Sequence, residues 1–276
     1  MTFSEYSMPD LSGINDPRYV SGQYSTAANL NTRIGLHEHF SVNPYRWPHW
    51  VFDRFDLPAQ CSILELGCGA GQLWTNNLDR LPPGWTICLS DASAGMLAQA
   101  RANLGAAAAR FNFRQVDAQA IPFADGGFDA VIANHMLYHV PEREKARAGI
   151  RRVLAPGGRL YASTNGARHM LELREMLVRF SPVLADWGVQ ITKSFTLENG
   201  AEQLQRYFPF IRLERYEDAL LVTDVEPLIE YVLSGRIHFT PAEKQEFTRF
   251  VEQEIARQGG KLHITKDGGL FIAGRE

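Results

Sequence analysis

The chain has 276 residues, 45% hydrophobic and 21% charged, with a formal net charge of −3. That length suits one α/β domain of generous size, and the slightly acidic balance excludes an overall basic surface of the kind that grips a nucleic-acid backbone. Without a bilayer-length apolar stretch, a secretory leader or C-x-x-C spacing among Cys61, Cys68 and Cys88, the expectation is a protein of the reducing cytoplasm with no bound metal and no membrane or nucleic-acid partner.

Residues 1–58 read as N-terminal cover. Polar residues 1–18, with Pro9, Gly13 and Pro17, are expected to be loosely ordered. A helix is expected from Thr26 to Phe40 with Leu30, Ile34 and Leu36 on its apolar face. Arg33 and His37 fall four apart, on one helical face. Ser41-Val42-Asn43-Pro44 breaks this helix, and an aromatic-rich second one is expected from Tyr45 to Phe55.

Residues 59–165 carry the densest signal. Ser62-Ile63-Leu64-Glu65-Leu66 is an apolar, partly β-branched run that enters Gly67-Cys68-Gly69-Ala70-Gly71, and a helix-compatible segment starts at Gln72. A buried strand feeding a tight glycine turn into a helix is the layout of a nucleotide-binding βα unit. Alternate glycines with Glu65 ahead of them differ from the G-x-G-x-x-G that cradles a pyrophosphate. A carboxylate there suits a ligand carrying an ammonium and a sulfonium. Trp85 to Asp91 reads as a second strand ending in an acid about 20 residues past the loop, where a carboxylate accepts from ribose hydroxyls. Phe111 to Asp117 is a third strand with an acidic end, Phe128 to Asn134 a fourth, and Leu154-Ala155-Pro156-Gly157-Gly158 a turn opening a fifth. Helices are expected near 72–79, 93–104 and 142–153.

Residues 166–276 read as a lid insertion followed by the strands and helices that complete the domain. Helices are expected over Arg168–Phe180, Thr196–Tyr207 (from an imperfect Thr196-x-x-Asn199 capping box), Val225–Leu233, and from Thr240-Pro241 to about Gln258. Ile211–Tyr216 alternates as a strand and Leu220–Val222 as another short one. Leu262–Thr265 and Leu270–Ala273 flank Asp267-Gly268-Gly269. The fold class is therefore α/β: a Rossmann-like, doubly wound, seven-stranded mixed sheet, its last two strands antiparallel at the edge, under a helical cover.

Between about residues 60 and 165 the chain resembles the class I S-adenosylmethionine-dependent methyltransferases, within their large small-molecule group. The resemblance rests on the E-x-G-x-G-x-G loop, on Asp91 with Ala92, Ser93 and Met96 behind it, and on Asp117-Ala118. It also rests on F-D-x-V-x-x-x-x-x-L-x-H from Phe128 to His139 and on the L-x-P-G-G turn. It implies S-adenosylmethionine as cofactor and a small-molecule methyl acceptor. Gly67 and Gly69 would let the backbone approach the methionine part, Glu65 would set the loop and the ammonium environment, and the backbone at Asn134 would hold the ammonium. Asp91 would take both ribose hydroxyls, Ala92 and Met96 would flank the adenine, Asp117 would accept its amino group, and the Ala118 amide would donate to a ring nitrogen. Tyr24 and Arg33 are further cofactor candidates from the N-terminal segment, Arg33 toward the methionine carboxylate. His135, Tyr138 and His139, after the fourth strand, are candidates for the acceptor side, since an imidazole accepts a proton near neutral pH.

Each position also has a structural reading. Asp91 serves equally as a cap for the helix at Ser93, Asp117 as a turn acid, and Met96 and the aromatics as core. His139 serves as a packed residue, and Arg33 as a surface arginine. The expected function is methyl transfer from S-adenosylmethionine to an O, N or C atom of a small organic molecule. The alternative is a protein that holds this cofactor without transfer, as a regulator or an aid to a rearrangement. An NAD-dependent oxidoreductase is disfavoured by the glycine spacing and by Glu65.

Overall fold

The computed structural model describes residues 28–186, 194–235, 237 and 239–275. Seven strands form one sheet in the order β3-β2-β1-β4-β5-β7-β6. They are β1 (Cys61–Leu66), β2 (Trp85–Asp91), β3 (Phe111–Gln115), β4 (Phe128–Asn134), β5 (Leu154–Asn165), β6 (Phe210–Val222) and β7 (Leu262–Gly274). The first five pair in parallel, and β7 runs antiparallel between β5 and β6. The seven-stranded mixed α/β sheet is thus the one expected.

Both faces of the parallel part are buried, so its strands read as near-continuous apolar runs. Alternation assigns neighbours to opposite cores. Leu64, Val131 and Leu160 join one cluster with α5 (Arg143–Val153) and Phe195. Ile63, Ile132 and Tyr161 join the other, with α2 (Trp47–Phe52) and α4 (Ala94–Leu104).

The hairpin β6–β7 is longer than the sheet it joins. β5 pairs with β7 only from Arg159↔Gly274 to Asn165↔Gly268. Residues 262–267 continue past that point, paired only with 217–222 of β6. Because β7 runs against β5, this overhang rises beyond the C-terminal ends of the parallel strands. It carries a third apolar cluster built with α1 (Ala28–Phe40), α6 (Leu171–Phe180), α8 (Val225–Leu233) and α9 (Pro241–Arg257). The cap over that edge therefore has its own core.

Several elements differ from the sequence expectation. The four short strands near the C-terminus are two strands of 13 residues each. Gly268-Gly269 lies within the strand and is not a turn, and Gly269 marks a close approach: a Cβ there would lie 2.6 Å from the Glu214 carbonyl oxygen. The helix expected over Thr196–Tyr207 shrinks to α7 (Gly200–Leu204), and the one over Tyr45–Phe55 to α2. The Thr196 box does close, with the Thr196 amide donating to Asn199 Oδ1 at 2.8 Å and the Asn199 amide to Thr196 Oγ1 at 3.4 Å.

Candidate active site

In an open α/β sheet, ligands lie outside the C-terminal ends of the strands. At that edge β1 leads through Gly67, Gly69 and Gly71 into α3 (Gln72–Thr75), with φ of 67°, 54° and 79°. At Gly67 a side chain is excluded twice, by the left-handed backbone and by Met136 Cβ, 2.8 Å from where its own Cβ would stand. The loop hangs on the neighbouring strand, since the Cys68 amide donates to the Ser90 carbonyl at 2.9 Å.

Asp91 ends β2 beside this loop. Its Oδ2 accepts from the Gly69 amide at 3.0 Å and its Oδ1 from the Ser93 amide at 2.8 Å. Burial raises its pKa, and the amide bonds from Ser93, Gly69 and Ala92 oppose the rise. The cap of α4 itself is Ser93, whose Oγ accepts from the Met96 amide. Asp91 thus braces the loop against the helix start. Met96 is buried with Ala70 and Leu30, and Leu30 Cδ2 stands 3.4 Å from the position a Gly69 Cβ would take. Helix α1 therefore lies over the loop. Ala92 is exposed, and its carbonyl accepts from Gln115 Nε2. Asp117 is exposed and accepts from the amide and side chain of Gln119, while Ala118 is buried.

Glu65 is 2% exposed, and its Oε2 accepts from the Trp74 indole at 2.6 Å. Burial pushes its pKa up to about 7 against the opposing hydrogen bonds from Trp74 and Asn134. The Asn134 side chain thus bonds Glu65, while its own Oδ1 is buried and makes no hydrogen bond. A glycine bend, a braced acid and an unpartnered buried acceptor meet at one rim.

Residues 64–162 match a family profile described as a methyltransferase domain. Demethylmenaquinone methyltransferase of Thermus thermophilus is 38% identical over 115 residues, covering 42% of this chain and 52% of the relative. Methyltransferase GfsG of Streptomyces halstedii is 31% identical, covering 65% of this chain and 61% of the relative. The core belongs to the class I S-adenosylmethionine-dependent methyltransferases. The chain spans about half the length of the first curated relatives it matches, 52%, 54% and 50%. Among solved structures, the [4+2]-cyclase SpnF shares the fold at a TM-score of 0.59 and 20% identity, covering 93% of this chain and 95% of that one.

The methyltransferase core continues past Asn134 into His135, a residue with φ of 48° whose amide donates to the Ser163 carbonyl and Oγ. A left-handed histidine is uncommon, and it turns the chain sharply at the end of β4. The His135 ring lies 5.1 Å from Trp47 and 6.4 Å from Tyr138, and Tyr138 lies 4.5 Å from His139. The three residues are consecutive in space, with Tyr138 buried in the core. Burial and then Lys266 push the His135 pKa down to about 4. Arg33 donates from Nε to the Asn29 carbonyl within α1, one turn from Leu30. Tyr24 lies outside the described residues.

Sequence reading missed the wall opposite His135. His169, Tyr216 and Lys266 carry no motif, and breaking β7 at Asp267 left Lys266 at a strand end. The one available signal was alternation: in register, Asp218 stands opposite Lys266 and Tyr216 opposite Gly268, so these side chains share a face. A separate hollow of about 510 Å³ lies at the opposite, N-terminal edge, lined by Arg151, Arg152 and Arg275 among others. Each of these guanidinium groups donates to a backbone carbonyl, so they act as structural ties. Among the described residues, no helix is long and apolar enough to cross a membrane, and no group of metal-ligating side chains converges.

Proposed function

We propose that this chain is a cytoplasmic enzyme that transfers a methyl group from S-adenosylmethionine to an O, N or C atom of a small organic molecule. The observation that carries the reading is the rim itself: Asp91 reaching back to the Gly69 amide, and the buried, unpartnered Oδ1 of Asn134 at the end of β4. These groups fit the cofactor. A buried acceptor next to a carboxyl suits an ammonium, and the missing side chains at Gly67 and Gly69 admit the methionine part.

Asp91 takes the ribose hydroxyls with the lone pairs its amide bonds leave. Asp117 and the Ala118 amide read the adenine edge, with Ala92 and Met96 along its faces. Glu65 orients Asn134, and Arg33 and Tyr24 belong to the cover over the methionine end. When bound, the cofactor supplies an electrophilic methyl on a sulfonium. Alignment and dryness are what the protein must add, because charge is lost in the displacement. His135, at the end of β4 and held neutral, accepts a proton from an acceptor that must lose one, with Tyr138 and His139 packed behind it.

The acceptor is read as small because the capped overhang encloses the edge, and because the relatives' names describe small-molecule methylation, demethylmenaquinone among them. The same fold carries a [4+2]-cyclase, so architecture alone does not fix the reaction. Incubation with methyl-labelled S-adenosylmethionine and a metabolite library tests the proposal. Labelled product with stoichiometric S-adenosylhomocysteine is expected. Cofactor binding with no transfer to any acceptor would favour a binding or rearrangement role.

A further inference from the structure

Beyond His135, where the cap meets the sheet, side chains with a distinct electrostatic character gather. His37 of α1 and His169 after β5 have ring centroids 5.8 Å apart. Trp47 lies 5.2 Å from Tyr216 and 5.1 Å from His135. Lys266 rises from the overhang with Nζ 5.6 Å from the centre of the Tyr216 ring. Burial, with Lys266 nearby, holds all three imidazoles neutral at physiological pH. The His37 Nδ1 is buried and makes no hydrogen bond.

The charge on this wall is unevenly answered. Lys266 donates to Asp218 Oδ2 at 2.5 Å. Asp218 is fully buried and is also held by Ser41 Oγ at 2.5 Å, the Asn43 amide at 3.0 Å and the Ala219 amide at 2.8 Å. One carboxylate therefore serves four donors. The ammonium has three N–H groups, and among the described residues only one has a protein acceptor. A largely buried ammonium favours a further anionic oxygen, and a charge-assisted bond to one is strong in such surroundings. A cationic acceptor would face Lys266, whose carboxylate partner among the described residues, Asp218, is already occupied by four donors.

We propose that the methyl acceptor is an organic acid, bound where the cap meets the sheet with its anionic group against Lys266 and its body beside the cluster of Trp47, Tyr216 and the histidines. The proposal rests on the methyltransferase reading and narrows it from any small molecule to an anionic one. Lys266 would be a specificity-determining residue and not a proton carrier.

The test is calorimetry on protein saturated with S-adenosylhomocysteine, using matched probes: benzoate against benzamide, indole-3-acetate against tryptamine, and hexanoate against hexylamine. At least one acid is expected to bind about tenfold or more tightly than its uncharged or cationic counterpart, the scale of one charge-assisted bond. Lys266→Gln, which keeps a donor toward Asp218, should abolish that preference and leave S-adenosylhomocysteine affinity unchanged. Lys266→Arg should retain it. Equal or tighter binding of the amides or amines, an undiminished preference in Lys266→Gln, or no binding of any acid would overturn the proposal. Failure of the wild-type protein to bind S-adenosylhomocysteine would overturn the underlying cofactor reading, and this one with it.

Discussion

Glu65 is buried and held by Trp74 and Asn134, and burial moves its pKa to about 7 from an ordinary 4.5. The folded protein therefore keeps a proton there between about pH 4.5 and 7 that the unfolded chain has released. Its contribution to stability is full below about pH 4.5 and is lost as pH rises through about 7, by about 3 kcal/mol. Glu65→Gln removes the titration. Relative to wild type, the variant's unfolding free energy at pH 7.5, measured by urea denaturation, should gain about 2 kcal/mol on its value at pH 5; an unchanged pH dependence would contradict the assignment. Glycines, acids and strand ends at this rim were legible because each obeys a local rule of backbone or strand geometry. The side-chain role of Asn134 was not. Its free Oδ1 follows from the bond to Glu65, which only the packing of β1 against β4 creates.

The hairpin β6–β7 shows what alternation alone leaves open at the level of an element. Its strands were read in halves because Gly268 and Gly269 look like a turn, yet Gly269 gives room where the Glu214 carbonyl crowds in. Its overhang is tied to the end of α1 by Asp218, which gathers Ser41, Asn43 and Lys266. Asp218→Ala removes the partner of a mostly buried ammonium and strands these donors, which should cost about 3–5 kcal/mol. Chemical denaturation measures the loss, and hydrogen exchange should place it in α1, α8 and the overhang before the parallel strands. A loss within about 0.5 kcal/mol, the scale of a surface substitution, would show that the tie does not hold the cap.

Across the whole molecule, the buried acid of the rim and the buried histidines beneath the cap respond oppositely to acid. Where the cap meets the core, burial chiefly and nearby Lys266 push His37 down to about 3 and His135 to about 4, and His169 is lowered as well. Folded-state values below the ordinary 6.5 mean that stability is full above that pH and is lost as pH falls, by up to about 1.4 kcal/mol per pH unit for each histidine. Glu65 pulls the other way between about pH 4.5 and 7, so the three histidines dominate the acid limb. His37, facing His169, Tyr231, His135 and Lys266, can be isolated: His37→Gln should flatten the loss between pH 6.5 and 4.5 by about one proton's slope, and an identical slope would refute its burial in the cap. This level was also the least legible. The parallel core repeats local patterns, whereas the cap joins residues far apart in sequence, such as Ser41 and Asp218. The account rests on Asp91 and the glycine bend holding the adenosyl group. Isothermal titration of S-adenosylhomocysteine into wild type and Asp91→Ala tests this most directly: wild type should bind, and the variant should lose about thirtyfold or more, as two charge-assisted bonds would require. Equal affinity of the two proteins, or no binding by wild type, would contradict it.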